Sequence, residues 1–246
     1  MIHCDNVTDV YKKDKMFLWL LSAFKAGFIN SAGFLITGKF VSHVTGFGTQ
    51  VGIAMGHSDY FFGGELLVIP FFFILGGVIT SVVLEAGAKK KSRPPYHYIQ
   101  GFITALIVVV ILIGEWGLVS TTEQFDNDNR YQLMEFMVIA LLCLICGLKN
   151  SLITWTTFGK IRVTHLTGLS TDIGLHLVGT FFPKHKNVRL KEAREINVHR
   201  ILTLFTFSTG ALISAVVFPY MGFKAFYIAL TLSMFMTILS IYTRDH

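Results

Sequence analysis

Two histidines, two threonine–glycine pairs and one acid are the side chains best suited to chemistry, and they recur at matching places. His43, Thr45, Gly46, Thr49 and Gln50 lie in the run Phe40-Val41-Ser42-His43-Val44-Thr45-Gly46-Phe47-Gly48-Thr49-Gln50-Val51-Gly52. His165, Thr167, Gly168, Thr171 and Asp172 hold the same places in Arg162-Val163-Thr164-His165-Leu166-Thr167-Gly168-Leu169-Ser170-Thr171-Asp172-Ile173-Gly174. An imidazole binds polar solutes or relays protons near neutral pH. A Thr-Gly pair at a helix start supplies a capping hydroxyl beside free N–H groups, where the dipole favours an anion or a polar oxygen. Gln50 and Asp172 occupy equivalent positions, and an acid in apolar surroundings is a functional candidate because its charge is costly there.

A second echo lies upstream of each run: Gly27-Phe28-Ile29-Asn30-Ser31 and Gly147-Leu148-Lys149-Asn150-Ser151. Two echoes in the same order, one set in each half of the 246-residue chain, mark a duplicated unit. Asn30 and Asn150 are expected to hydrogen-bond the motif loops. Lys25 lies deep in an apolar run, too far from either end for easy snorkelling, whereas Lys149 is near enough to an end to snorkel. Either lysine is expected to pair with Asp172 or to attract an anionic solute. Cys143-x-x-Cys146 has no further ligand at metal spacing and reads as packing residues. Glu65, Glu85, Glu115 and Glu135 fall near the ends of apolar runs and read as interfacial.

The elements that hold these residues lie in a membrane. Hydrophobic residues make up 52% of the chain and charged residues 15%, against about 25% charged in soluble domains. Mean hydropathy is +0.58. The apolar residues gather in runs near the roughly 20 needed to cross a bilayer. Lys and Arg fall mostly between those runs, so the net charge of +6 is no nucleic-acid signal. Met16–Thr37 is too long for a signal-peptide core, and no cleavable leader is expected.

The expected fold is all-α, a polytopic membrane helix bundle of six spans plus two re-entrant half-helices in an inverted 3+3 repeat. Residues 1–15 form a cytoplasmic segment. The first repeat, 16–119, holds spans 16–37, 60–86 and 98–119 and the half-helix 44–55. An acidic external loop follows at 120–130. The second repeat, 131–246, holds spans 133–156, 198–218 and 223–242 and the half-helix 166–178. Lys89–Arg93 and Pro183–Arg200 are basic, and with the N-terminal segment they fall on the cytoplasmic side, as do both termini. Counting each motif as a full crossing gives eight spans and forces one basic segment outside, so six is the better count. Pro183–Arg200 reads as a solvated positive-inside loop in preference to a lipid-binding one.

Three spans per half is an odd number, so the halves enter the membrane from opposite sides, an arrangement common in secondary transporters. Pieces as short as Val44–Met55 and Leu166–Val178 suit re-entrant half-helices, which lipid tolerates only inside protein or beside a cavity. Gly48, Gly52 and Gly56, with Ser170 and Gly174 in the second copy, leave room for close helix crossing, either around a site or as plain packing. The reading is a transporter or facilitator of a small polar solute, anions among the candidates. Its partners are the bilayer and the solute, and the glycine-lined faces allow a homodimer without requiring one; no nucleic acid, cofactor or metal is expected. The alternative is a membrane scaffold or regulatory protein. A membrane-embedded enzyme ranks last, because no nucleophile with base, His-Glu-x-x-His or phosphate loop is present.

The doublet Phe40-Val41-Ser42-His43-Val44-Thr45-Gly46 and Arg162-Val163-Thr164-His165-Leu166-Thr167-Gly168, each preceded by Gly-x-x-Asn, resembles the YoaK-like family of bacterial membrane proteins, a group without an assigned activity. The resemblance implies a multi-pass protein of the bacterial inner membrane. This chain departs from the family pattern at Asn30, often Asp there, and at Phe47 and Leu169, where Asn often follows Thr-Gly.

Overall fold

The computed structural model describes residue 4 and residues 7–88, 94–116, 129–181 and 188–242. Most of the acidic loop and the core of both basic loops lie outside the described residues. Among those described, all regular structure is helical. The α-helices are α1 Lys13–Thr37, α2 Val44–Gly56, α3 Tyr60–Leu66, α4 Val68–Ala88, α5 Tyr96–Glu115, α6 Asn129–Thr156, α7 Leu166–Phe181, α8 Val188–Met221 and α9 Phe226–Tyr242. Short 3-10 turns lie at Val7–Tyr11 and Gly222–Ala225.

Five stretches are long and apolar enough to cross a membrane: Lys13–Thr37, Val68–Gly87, Tyr96–Glu115, Leu133–Thr156 and the 49-residue stretch Arg194–Tyr242. By length and composition the chain is a helical membrane protein. The last stretch bends at Gly222, whose φ of 53° suits glycine. Large apolar side chains such as Phe71, Ile74, Val78 and Val82 project outward from α4, a stripe that needs lipid or another apolar surface to cover it.

One expected span differs. Residues 60–86 do not form one helix but break at Leu67 into α3 and α4. Pro70 has no N–H and would clash with a continued helix, so it sits in the first turn of α4, where no intrahelical donor is needed. The helix expected over 98–119 starts at Tyr96 and ends at Glu115. The half-helices run slightly longer than expected, to Gly56 and Phe181.

The core is built by exchange between the halves. α1 packs most extensively on α8, α6 on α4, and α5 on α9. Glycines set the two main crossings. A Cβ on Gly27 would collide with the carbonyl of Phe207, and one on Gly210 with the carbonyl of Phe24. In the other crossing a Cβ on Gly147 would collide with the carbonyl of Phe73, and one on Gly76 with the backbone at Leu144 and Leu148. Backbones this close gain dispersion that lipid alone does not give. Gly27 and Gly147 are the first residues of the two upstream sequence echoes, so the repeat is a packing repeat as well.

Candidate functional site

The two motif copies are held by the same local device. At the end of α1, Thr37 Oγ1 donates to the carbonyl of Gly33 at 2.8 Å, and Gly38 turns the chain with φ 64°. At the end of α6, Thr157 Oγ1 donates to the carbonyl of Ile153 at 2.6 Å, and Phe158 and Gly159 turn the chain with φ 52° and 74°. Each loop is then tied back to its own long helix. Asn30 Oδ1 accepts from the Ser42 amide at 3.1 Å and from the Ser42 hydroxyl at 2.9 Å. Asn150 Oδ1 accepts from Thr164 Oγ1 at 3.2 Å.

So positioned, the two loops open on one cavity of about 550 Å³. Ser42, His43, Val44 and Thr45 line it from the first copy, and Thr164, His165, Leu166 and Thr167 from the second, with Gly168 and Phe207 beside them. Residues far apart in sequence but equivalent by repeat thus share one space. Phe207 was not foreseen; no sequence signal separates it from the other phenylalanines of its span.

The copies are not chemically equal. Asn150 Nδ2 lies 3.4 Å from His165 Nε2, whereas His43 folds against its own helix start. A Cβ on Gly46 would come within 2.8 Å of the His43 ring, so only glycine gives the imidazole this room. Phe40 meets the same ring edge-on, with centroids 6.1 Å apart. Partial burial, helped by the neighbouring Arg162, holds His165 below the usual imidazole range, so its ring is neutral at pH 7.

Several expected roles are corrected. His43 is the N-cap of α2, and no side chain caps that helix; Thr45 lies one residue inside the first turn, past the capping position. Thr171 Oγ1 donates back to the carbonyl of Thr167 at 3.1 Å. Gly48, Gly52, Gly56, Gly168 and Gly174 have nothing within 4 Å of an added Cβ, so no close crossing of α2 with α7 uses them. Thr49 and Gln50 are exposed, and Gln50 lines a separate cavity of about 310 Å³ with Ile53, Ala54, His57 and Asp59.

Asp172 pairs with neither lysine. Its carboxylate meets Arg200 on α8 at 2.9 Å, away from the cavity lining. Arg200 Nη1 also lies 3.4 Å from His176 Nδ1. Lys149 does not snorkel but is 3% exposed, and Lys25 is 0% exposed. The two amines reach neighbouring residues of α9, Lys25 Nζ at Ser233 Oγ and Lys149 Nζ at the Met236 sulfur, with Gln100 and Thr104 bonded to the same serine. Gln100 carried a signal, an amide inside an apolar run; the serine and threonine at 233 and 237 carried only helical spacing. Cys143 and Cys146 are buried free thiols. Among the described residues no three His, Cys, Asp or Glu side chains cluster as a metal site would require.

Long apolar helices around a cavity lined by both motif copies define a multi-helix membrane protein. A family model covers residues 18–239, nearly the whole of both halves. The chain belongs to that family, DUF1275, described as proteins of unknown function. No curated protein and no solved structure gives a significant match.

Proposed function

We propose that the chain is a secondary transporter or facilitator of a small polar, anionic solute. In this reading six spans and two re-entrant half-helices, α2 and α7, form an inverted 3+3 repeat in a bacterial inner membrane, with both termini in the cytoplasm. α8 and α9 are then separate crossings; α8, 34 residues long, exceeds the roughly 20 that span a bilayer and extends beyond it. The YoaK-like resemblance belongs to the same reading, and so does a non-enzymatic role.

One observation carries it: equivalent residues of both motif copies line a single cavity of about 550 Å³. That volume is in the range of small-molecule sites, roughly 300–1,000 Å³. Its polar groups are hydroxyls, the Asn30 amide and imidazoles, which suit a hydrogen-bonding solute. Neutral His165 carries one donor and one acceptor nitrogen, and its Nε2 faces Asn150 Nδ2, so a solute that delivers a proton to the ring changes the loop's bonding. The glycine face of α2, open within this chain, is where a second copy would sit in a homodimer.

Uptake into proteoliposomes over a panel of small organic and inorganic anions and polar neutral solutes tests the reading, with His43→Ala and Asn150→Ala as variants. Saturable uptake of one class, lowered at least tenfold in both variants, is expected. Absence of uptake for every class, with folded protein in the vesicles, favours the scaffold.

A further inference from the structure

A second polar region lies in the bundle interior, built from α1, α5, α6 and α9 and sharing no residue with the cavity lining. Lys25, Lys149, Gln100 and Ser233 are all buried, at 0%, 3%, 2% and 0% exposure. Lys25 Nζ donates to Ser233 Oγ at 3.0 Å, and Gln100 Nε2 donates to the same oxygen at 3.2 Å. With both lone pairs taken, the Ser233 hydroxyl gives its proton to Thr104 Oγ1, 2.9 Å away. Thr104 in turn donates to the Gln100 carbonyl at 2.9 Å. The hydroxyl chain is saturated.

Lys149 is left with poor acceptors. Its Nζ has the Met236 sulfur at 3.6 Å, which Ser22 shares at 3.8 Å. A thioether accepts weakly, and an ammonium does not accept at all. Ser233 and Met236 lie one turn apart on α9, so the two amines that reach them are close neighbours in the interior. A second proton creates two adjacent cations with no acceptor between them. No carboxylate or imidazole among the described residues acts on either amine; the titratable group beside them is the Cys146 thiol. Asp172, the acid that sequence offered as a counter-ion, is engaged by Arg200.

We propose that the Lys25–Lys149 pair binds a small monovalent anion together with a proton. The anion supplies the acceptor that the surrounding helices withhold. Its charge offsets that of the incoming proton, so the net charge of the low-dielectric interior does not change. The pair thus alternates between a one-proton state and a two-proton state shared with the anion, with one proton per anion. The site stands apart from the carrier reading; where that reading holds, it names the coupling ion.

The full chain, purified in lipid nanodiscs, is probed with sodium chloride, nitrate and formate against sodium gluconate at matched ionic strength. The melting midpoint is followed from acidic to mildly alkaline pH. The small anions are expected to raise it in a saturable way and gluconate not to. Once pH rises past the point at which the anion-free site loses its second proton, the apparent Kd should weaken about tenfold for each further unit, the linkage for one proton. Lys149→Met and Lys25→Met should remove both the shift and its pH slope; if either fails to fold, the corresponding glutamine variant is read in its place. The proposal is overturned by no shift with any small anion, by an equal shift in gluconate, by a Kd independent of pH, or by shifts that survive in the lysine variants. Nothing in this measurement requires transport, so its failure and that of the uptake assay are separate results.

Discussion

The cavity and the lysine pair are polar regions of one helical bundle built on opposite plans. The cavity is made twice: Ser42, His43 and Thr45 have counterparts in Thr164, His165 and Thr167, and all six line the same space. The lysine pair is made once. At the place equivalent to Lys149 the first repeat has Ile29, and at the place equivalent to Lys25 the second has Ile145. Duplication reproduces what each half needs in order to fold, such as the glycine crossing and the asparagine that ties back its loop. A buried amine is not needed for folding, because burying a charge without a partner costs stability. Its presence in one register of each half, meeting its fellow at the centre, is better explained by a task.

The comparison breaks first at the glycines. Gly27→Leu and Gly147→Leu should each cost more than about 3 kcal/mol, the upper end for overpacking, because a backbone carbonyl cannot move aside. Gly48→Leu, at an open position, should leave the melting midpoint nearly unchanged. Thermal unfolding of the three purified variants decides this, and unequal losses at Gly27 and Gly147 would undo the claim that both crossings are one device. Next come the loop ties. Asn30→Ala and Asn150→Ala should each lower stability by about 1–2 kcal/mol, since each leaves a loop donor unsatisfied. A loss at one position alone, seen in denaturant titrations, would mean that one copy carries the cavity.

A pH series sharpens the inequality of the copies. His165 is held below the ordinary imidazole value by burial and by Arg162, so it contributes most while neutral. That contribution is present above about pH 6.5 and is lost as pH falls through and below the unfolded-state value. Imidazole resonances followed by NMR should show His165 titrating at lower pH than a free imidazole; titration at or above the free value would remove the inferred cause. The smallest effect is expected at Asp172→Asn. The Arg200 pair is exposed enough, at 47% on the acid side, that its loss should cost no more than about 1 kcal/mol. A larger drop in melting midpoint would show the ion pair to be structural.

The tie between Asn30 and the first motif loop was legible in the sequence, since an amide about two turns before a helix end can reach a loop that folds back along that helix. The break between α3 and α4 was legible too, in Pro70, but the apolar run on both sides hid it. The capping reading of Thr45 failed because α2 begins at Val44, which makes His43 the N-cap and leaves the threonine past the capping position. The snorkelling reading of Lys149 failed for another reason. Distance along a helix says how far a side chain is from the interface but not which way it points.

Composition and the two echoes fixed, without coordinates, a membrane chain made of two related halves carrying matched polar loops. Those properties follow from hydropathy summed over about 20 residues and from residue identity, which are local along the chain. Only the tertiary structure decided that both loops open on one cavity, that Asp172 belongs to Arg200, and that the two lysines reach neighbouring residues of α9. These depend on which helix faces which. In this bundle α1 takes its main partner from the second half and α6 from the first, an exchange set by glycine contacts between residues far apart in sequence.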